Sequence, residues 1–331
     1  LAQMIRPHIG RFFAILMTPL GQKFDASLFF RPTSGMVNGH DVDKGMLAQD
    51  LTLIGMDVLI RGRLGAATAL GEVLALWNPD CIAQDFQSEL EAYLSSTSAL
   101  QRCLSAAAVQ DWAEACWRRG ELLVKTSATA PSLNTKMISI LESPAPPTYA
   151  EMTTMLLRTH TECQALCNMF VREGKISRDL IPAISSTVDP TGQDPQAFTV
   201  DSAKVIAGET YKTLIAKIST RTKKNALPLL EQKHRMLVAS IGFYETAKSR
   251  QDHQMFASVA GAVIALRSLP DKLNPIIRSI MNSVKFEENR DLQERSAQAV
   301  AHLIEVCCQP GAKSNPSGKV VKNLCAFVCQ D

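Results

Sequence analysis

Along most of this chain apolar residues return in steps of three and four, with polar pairs between them, and prolines or glycines close each run. That is the period of an amphipathic α-helix. Residues 3 to 18 read as a first helix, with Met4, Phe12, Ile15 and Leu16 as its apolar positions and Pro19 as its stop. A pair is expected at 45–60 and 62–77, the second member rich in small side chains (Ala66, Ala67, Ala69, Gly71) and ended by Asn78-Pro79. Further helices are predicted over 98–126, from a new start at Pro131, and from Tyr149 to Arg172, with a shorter piece at 176–185. The last third is the most regular, with helices expected near 197–218, 227–247, 252–268, 272–285, 290–308 and 318–329. Short turns between consecutive helices force antiparallel neighbours. Irregular loops are expected near 19–44, 143–147 and 187–196, the first long enough to raise a functional suspicion.

The sharpest local pattern lies between Asp271 and Cys308. Its first helix carries Leu273, Pro275, Ile277, Ile280, Met281 and Val284, and a polar turn, Glu287-Glu288-Asn289, follows. Its second helix carries Leu292, Ser296, Ala299, Val300, Leu303 and Ile304, so one apolar stripe includes two residues small enough for close helix contact. A proline near the start of the first helix is tolerated because early helical amides have no intrahelical acceptor. This resembles a HEAT repeat. Arg63, Ala66, Ala69 and Leu70 repeat the second-helix pattern, and Ala260, Val263 and Ile264 repeat it more loosely. The expected fold is therefore all-α, an α-solenoid of HEAT-like antiparallel helix pairs running as one continuous body over 1–331. An irregular helical bundle is the alternative.

Composition changes this picture little. The chain has 331 residues, 46% hydrophobic and 20% charged, enough to bury a substantial interior. Its net charge of +3 is too mild to indicate a dedicated nucleic-acid-binding domain. The nine cysteines are an odd number and mostly occupy apolar helical positions (Cys103, Cys116, Cys163, Cys307, Cys325), as reduced thiols do in a reducing compartment. No signal-peptide pattern is visible, and no apolar run reaches the roughly 18 residues of a membrane span, so no membrane partner is expected. Leu1 opens inside an apolar pattern and Asp331 follows a helix-like run, so both ends read as cut from a longer polypeptide.

Catalytic chemistry has no candidate in these residues. Neither a phosphate-binding glycine loop nor an HExxH motif occurs, and Gly62-Arg63-Leu64-Gly65 sits inside a helical repeat. Cys163/Cys167 and Cys325/Cys329 are i,i+4 pairs and Cys307/Cys308 are adjacent, with no histidine or second pair at zinc-site spacing. Catalytic, metal and cofactor residues are accordingly assigned to none. A helical enzyme would need a polar cluster such as His160 and Cys163 converging with an acid in a pocket.

Two charge runs remain. Between 210 and 250 nine basic residues face two acidic ones, Glu231 and Glu245. Lys212, Lys217, Arg221, Lys223, Lys224, Lys233 and Arg235 form the candidate interaction surface, with Lys223 and Lys224 expected in a helix-to-helix turn. Such a ridge suits an acidic protein surface or a phosphate backbone, while a plain solvated face is the alternative. No Phe, Tyr or Trp falls between Lys217 and Arg235, so base stacking is not expected. The acidic run Asp80, Asp85, Glu89, Glu91 invites the mirror reading, contact with a basic partner.

Several blocks resemble one family. They are Leu269 to Arg278 (Leu-Pro-Asp-Lys-Leu-Asn-Pro-Ile-Ile-Arg) with Lys285 to Asn289, Lys319 to Cys325, Asp43 to Leu70 with Arg61-Gly62-Arg63, and Thr18 to Gly21 with Phe24-Asp25. Together they are similar to the internal HEAT-repeat region of the TATA-binding-protein-associated Swi/Snf-type ATPases, the modifier-of-transcription family. That resemblance implies a nuclear protein that removes TATA-binding protein from promoter DNA using ATP, gripping it with a HEAT array while a separate motor acts on DNA. It implies as partners the TATA-binding protein, directly or through neighbouring repeats, the parent's own ATPase domain, and a DNA backbone contacted by the parent. The motor's motifs are absent from this chain, and no contact residue of the family carries over. A HEAT-repeat adaptor of another pathway, of the transport-receptor or phosphatase-scaffold type, is the alternative.

Overall fold

The computed structural model describes residues 2–18, 56–77, 86–96, 98–120, 129–142, 153–174, 177–180, 187, 199–217, 220–310 and 315–328. The expected loops at 19–44 and 143–147, the start of the expected helix at 45–60 and nearly all of the loop at 187–196 lie outside these residues. Among the described residues every regular element is helical. They are α1 (Ala2–Ile5), α2 (Ile9–Leu16), α3 (Met56–Leu74), α4 (Gln87–Leu94), α5 (Ala99–Arg118), α6 (Thr129–Glu142), α7 (Thr153–Arg172), α8 (Val200–Lys217), α9 (Thr220–Ala265), α10 (Asn274–Phe286), α11 (Arg290–Cys307) and α12 (Ser317–Val328). Stacked antiparallel pairs make this an all-α fold of the HEAT α-solenoid type. Two compact units are formed, one from 1–147 with 250–331 and one from 148–249.

The first unit is built around α5. Ser98 caps it, its hydroxyl accepting the Gln101 amide at 3.2 Å. Most of the helix is buried, including Leu104, Ala106–Val109, Trp112 and Cys116 and the polar Ser105, Gln110 and Asp111. Helix α3 lies directly against it. A Cβ on Gly71 would meet the Ala108 carbonyl oxygen at 2.7 Å and the Trp112 nitrogen at 2.8 Å, so only glycine permits this approach of two backbones. The small-residue face is thus Ala67 and Gly71; Ala66 and Ala69 point to solvent. The expected break near 61 is also absent, because α3 runs unbroken through exposed Gly62 while Ile60, Leu64, Ala67 and Leu70 hold its other face.

Polar side chains tie distant segments to this pair. Arg295 of α11 reaches Asp111 (Nη1 to Oδ2, 2.9 Å; to Oδ1, 3.1 Å), the Ala107 carbonyl (3.2 Å) and Thr68 Oγ1 (3.2 Å). Arg63 donates to the last carbonyls of α2, to Ile15 at 2.8 Å and to Leu16. A cation at a helix C-terminus satisfies orphan acceptors and complements the dipole, although burial lowers this guanidinium's pKa to about 10. Trp117 donates from Nε1 to the Ala265 carbonyl at 2.9 Å, under the Arg267 guanidinium, 4.2 Å from its ring centre.

The pair α10–α11 follows its sequence pattern closely. Ile277, Ile280, Met281, Leu292, Ser296, Ala299, Val300 and Leu303 are buried, joined by Ile276 and Ser283. Ser296 and Ser283 hydroxyls meet at 2.8 Å where the helices approach. Asn289 caps α11 by accepting the Asp291 and Leu292 amides, and Gln293 Nε2 donates to the Val284 carbonyl at the end of α10. The turn between them is less solvated than its composition suggests, since Glu287 is buried, accepting the Asn289 amide at 2.8 Å and Gln254 at 3.3 Å. The thiols of Cys103, Cys116 and Cys307 are buried; Cys325, expected at an apolar position, is exposed.

In the second unit α7 packs on α8, with Cys163, Cys167, Phe170 and Ala203 buried. Gly174, at φ +63°, turns the chain after α7. Thr199 and Ser202 make a reciprocal cap at the start of α8: Thr199 Oγ1 accepts the Ser202 amide at 3.2 Å and Ser202 Oγ accepts the Thr199 amide at 2.7 Å. The expected separation of 227–247 from 252–268 is not found. Lys248 to Gln251 contains no helix breaker, and α9 continues through them to Ala265.

Candidate interaction surface

The basic run lies on α8 and on the part of α9 that belongs to the second unit. Lys212 is exposed on α8 and pairs weakly with Glu209, three residues before it, at 3.4 Å. Lys217 is the last residue of α8. Arg221, Lys223 and Lys224 occupy the opening turns of α9, and Lys233 and Arg235 follow two to three turns later. The expectation that Lys223 and Lys224 lie in a turn is therefore corrected. Pro228 suggests a helix beginning near 227, yet α9 starts at Thr220 and carries Pro228 inside it. The proline removes one amide donor but does not end the helix, so both lysines sit on helical backbone. Arg235 is exposed, its Nε donating to the Glu231 carbonyl of the preceding turn at 3.4 Å. The side chains of Lys217, Arg221, Lys223, Lys224 and Lys233 lie outside the described set.

One feature of this region escapes periodicity. Tyr211 of α8 and His234 of α9 stack with ring centres 4.2 Å apart and planes at 15°. Each adjoins a residue of the basic run, Lys212 and Arg235, so the stack fixes the two helices that carry those cations. The available signal was the aromatic flanking each cluster, but nothing in spacing alone pairs residues 23 positions apart.

The other candidate groups have structural work. Cys163 and Cys167 share the buried face of α7, where His160 is also buried. Among the described residues no three His, Cys, Asp or Glu side chains are grouped to hold a metal. In the acidic run, Glu91 accepts Gln87 Nε2 at 2.8 Å and Ser132 Oγ at 2.6 Å, bonds that lower its pKa. Glu89 is half-buried against α2, with Oε1 2.8 Å from where a Gly10 Cβ would stand, and desolvation raises its pKa. Asp80 and Asp85 lie outside the described residues.

A helical repeat domain whose described charged groups lie on helix faces and in the seams between helices is the class of protein this architecture defines. The chain belongs to the family described as Domain of unknown function (DUF3535), whose model matches residues 1–331. It is 32% identical over 300 residues to the TATA-binding protein-associated factor mot1 of Schizosaccharomyces pombe, covering 88% of this chain and 14% of that protein. It is 32% identical over 302 residues to TATA-binding protein-associated factor MOT1 of Saccharomyces cerevisiae, covering 89% of this chain and 16% of the yeast protein. Identity to human TATA-binding protein-associated factor 172 is 26% over 285 residues, 83% of this chain and 14% of the human protein. The chain thus spans about one-seventh of the length of the relatives it matches.

Proposed function

We propose that this chain is a protein-holding scaffold segment of an ATP-dependent nuclear regulator that removes TATA-binding protein from promoter DNA, and that it performs no catalytic step itself. The observation that carries this reading is its 32% identity, across nearly nine-tenths of its own length, to proteins named TATA-binding protein-associated factors. Its helix pairs, which spend their polar side chains on caps and seams, suit a rigid body more than a reaction centre. The ATPase motor belongs to the remainder of the parent protein. The segment holds TATA-binding protein directly or braces neighbouring repeats that do. Lys212, Lys217, Arg221, Lys223, Lys224, Lys233 and Arg235 form a cationic ridge toward an acidic protein surface or the DNA backbone.

Size-exclusion co-migration of the 331-residue chain with purified TATA-binding protein, with and without a short TATA duplex, tests the reading. Co-migration makes the segment part of the grip; separate elution assigns it to bracing and overturns direct holding. For the ridge, Lys223→Glu with Lys224→Glu should weaken that complex by about tenfold and flatten its salt dependence. Unchanged binding at low salt would remove the ridge from the interface.

A further inference from the structure

Among the described residues one non-glycine residue stands in left-handed backbone: Arg267, at φ 54°, just past the last turn of α9. Glycine takes this conformation freely, whereas a Cβ crowds the following carbonyl, so an arginine here is held against its backbone preference. Such a residue persists only where its surroundings over-determine it. Main-chain bonds do not account for the choice. The Leu266 and Arg267 amides donate to the Ala262 and Ile264 carbonyls at 3.0 and 2.9 Å, bonds that a glycine would keep.

The side chain supplies what the backbone does not. Its guanidinium lies 4.2 Å from the ring centre of Trp117 on α5, and its Nη2 is 3.6 Å from Glu305 Oε1 on α11. The same indole donates from Nε1 to the Ala265 carbonyl at 2.9 Å, one of the end carbonyls of α9 that have no intrahelical donor. One residue past Arg267, the Ser268 carbonyl accepts Asn134 Nδ2 of α6 at 2.8 Å. Trp117 thus holds the helix end by its edge and the residue after it by its face. The ion pair is the weaker leg, because the Glu305 side chain is 53% exposed and salt screens it. The stack needs a planar cation, which arginine provides and lysine does not.

We infer that Arg267 is a side-chain latch on the junction between α9 and the α10–α11 pair. With the guanidinium seated on Trp117, the left-handed residue ends α9 and turns the chain toward α10. With it released, Arg267 returns to right-handed backbone and α9 lengthens to Ser268. It goes no further, since Leu269 precedes Pro270 and is kept from helical backbone. The junction therefore has two discrete arrangements, and a partly exposed cation–indole contact, not an apolar core, selects between them. The latch lies wholly within the first unit and is independent of the basic ridge on α8 and α9.

The test is hydrogen exchange of the full 331-residue chain, read by mass spectrometry over 262–273 and corrected for intrinsic rates. Arg267→Gly suits the backbone and lacks only the latch, while Arg267→Ala lacks the latch and keeps the left-handed cost. Exchange over this stretch should rise about tenfold in the glycine variant and further in the alanine variant. Glu305→Gln, which removes only the ion pair, should raise it about twofold. Peptides from α5 and α11 should keep their wild-type exchange. If backbone alone sets the turn, Arg267→Gly will slow exchange and Arg267→Ala will match the wild type, and either result overturns the latch. A rise of equal size across α5 and α11 would mean a loss of stability in the whole unit and would overturn it too.

Discussion

Helices α5 and α11 are of similar length, 20 and 18 residues, but they are stabilised in different ways. Helix α11 buries one apolar stripe against α10, meets α12 as well, and reaches α5 only through polar side chains such as Arg295, with the rest of its surface exposed. Helix α5 is enclosed by α3, by the 250–265 part of α9 and by Arg295, and its polar residues are buried with its alanines. A stripe tolerates drift on its open side. An enclosed helix accepts change only where some neighbour can yield, and at Gly71 that neighbour is backbone.

Substitutions that add or remove a few atoms measure this difference. The largest effect is expected from Gly71→Ala, which sets a methyl against the Ala108 carbonyl and the Trp112 nitrogen; we expect a loss of about 4 kcal/mol in chemical denaturation. A cost under about 1 kcal/mol would show that α3 and α5 can part without penalty. Leu303→Ala on α11, fully buried, should cost about 3 kcal/mol. Asp111→Ala strands Arg295 in the seam and should cost about 2 kcal/mol, less than a wholly buried pair because both partners keep some exposure. Adding Arg295→Met to that variant should recover most of the loss, and a strictly additive double variant would mean the two residues are not coupled. Asn289→Ala leaves two amides of α11 uncapped and should lower stability by about 1 kcal/mol, read as a shift in melting temperature.

The smallest effect concerns pH. Glu89 has a raised pKa in the folded chain, caused by desolvation, so its ionisation opposes folding once pH exceeds the unfolded value and the opposition is complete above the folded one. Glu89→Gln should therefore stabilise the chain slightly at pH 7, by less than about 0.5 kcal/mol after solvent screening. The gain should vanish as pH falls below the ordinary carboxylate range, and a gain that persists in acid would assign it to something other than charge.

The same contrast explains what could be read from the chain. The α10–α11 pair was legible residue by residue, because its burial is set by partners a few turns away and Pro275, Asn289 and the small Ser296 mark it. In α3 the small residues were visible, but Ala67 and Gly71 could not be separated from Ala66 and Ala69 without knowing which face α5 takes. Two expected helix breaks failed because Gly62 and the polar Lys248–Gln251 stretch weaken a helix only modestly; around Gly62 the buried Ile60, Leu64 and Ala67 outweigh that, and the second stretch runs straight into the buried Gln254 and Met255. Arg63 was read as part of a repeat, whereas its partners are carbonyls 47 and 48 residues away. For the interaction surface, sequence supplied the cations but set Lys223 and Lys224 in a turn, because Pro228 reads as a helix start whereas α9 begins at Thr220. It did not supply the Tyr211–His234 stack, which spans two helices.

The bond between Arg295 and Asp111 also sets a clock on biosynthesis. Its partners are 184 residues apart, which at a translation rate of about 5–20 residues per second means a wait of roughly 10 to 40 s. Until then the nascent chain holds α3 and α5 without the segments that enclose them, an alanine-rich surface open to the cytosol. The 148–249 unit emerges whole during that interval. Ribosome-bound chains stalled before residue 290 should therefore be the form that chaperones retain and proteases cut, and release should follow the arrival of α11.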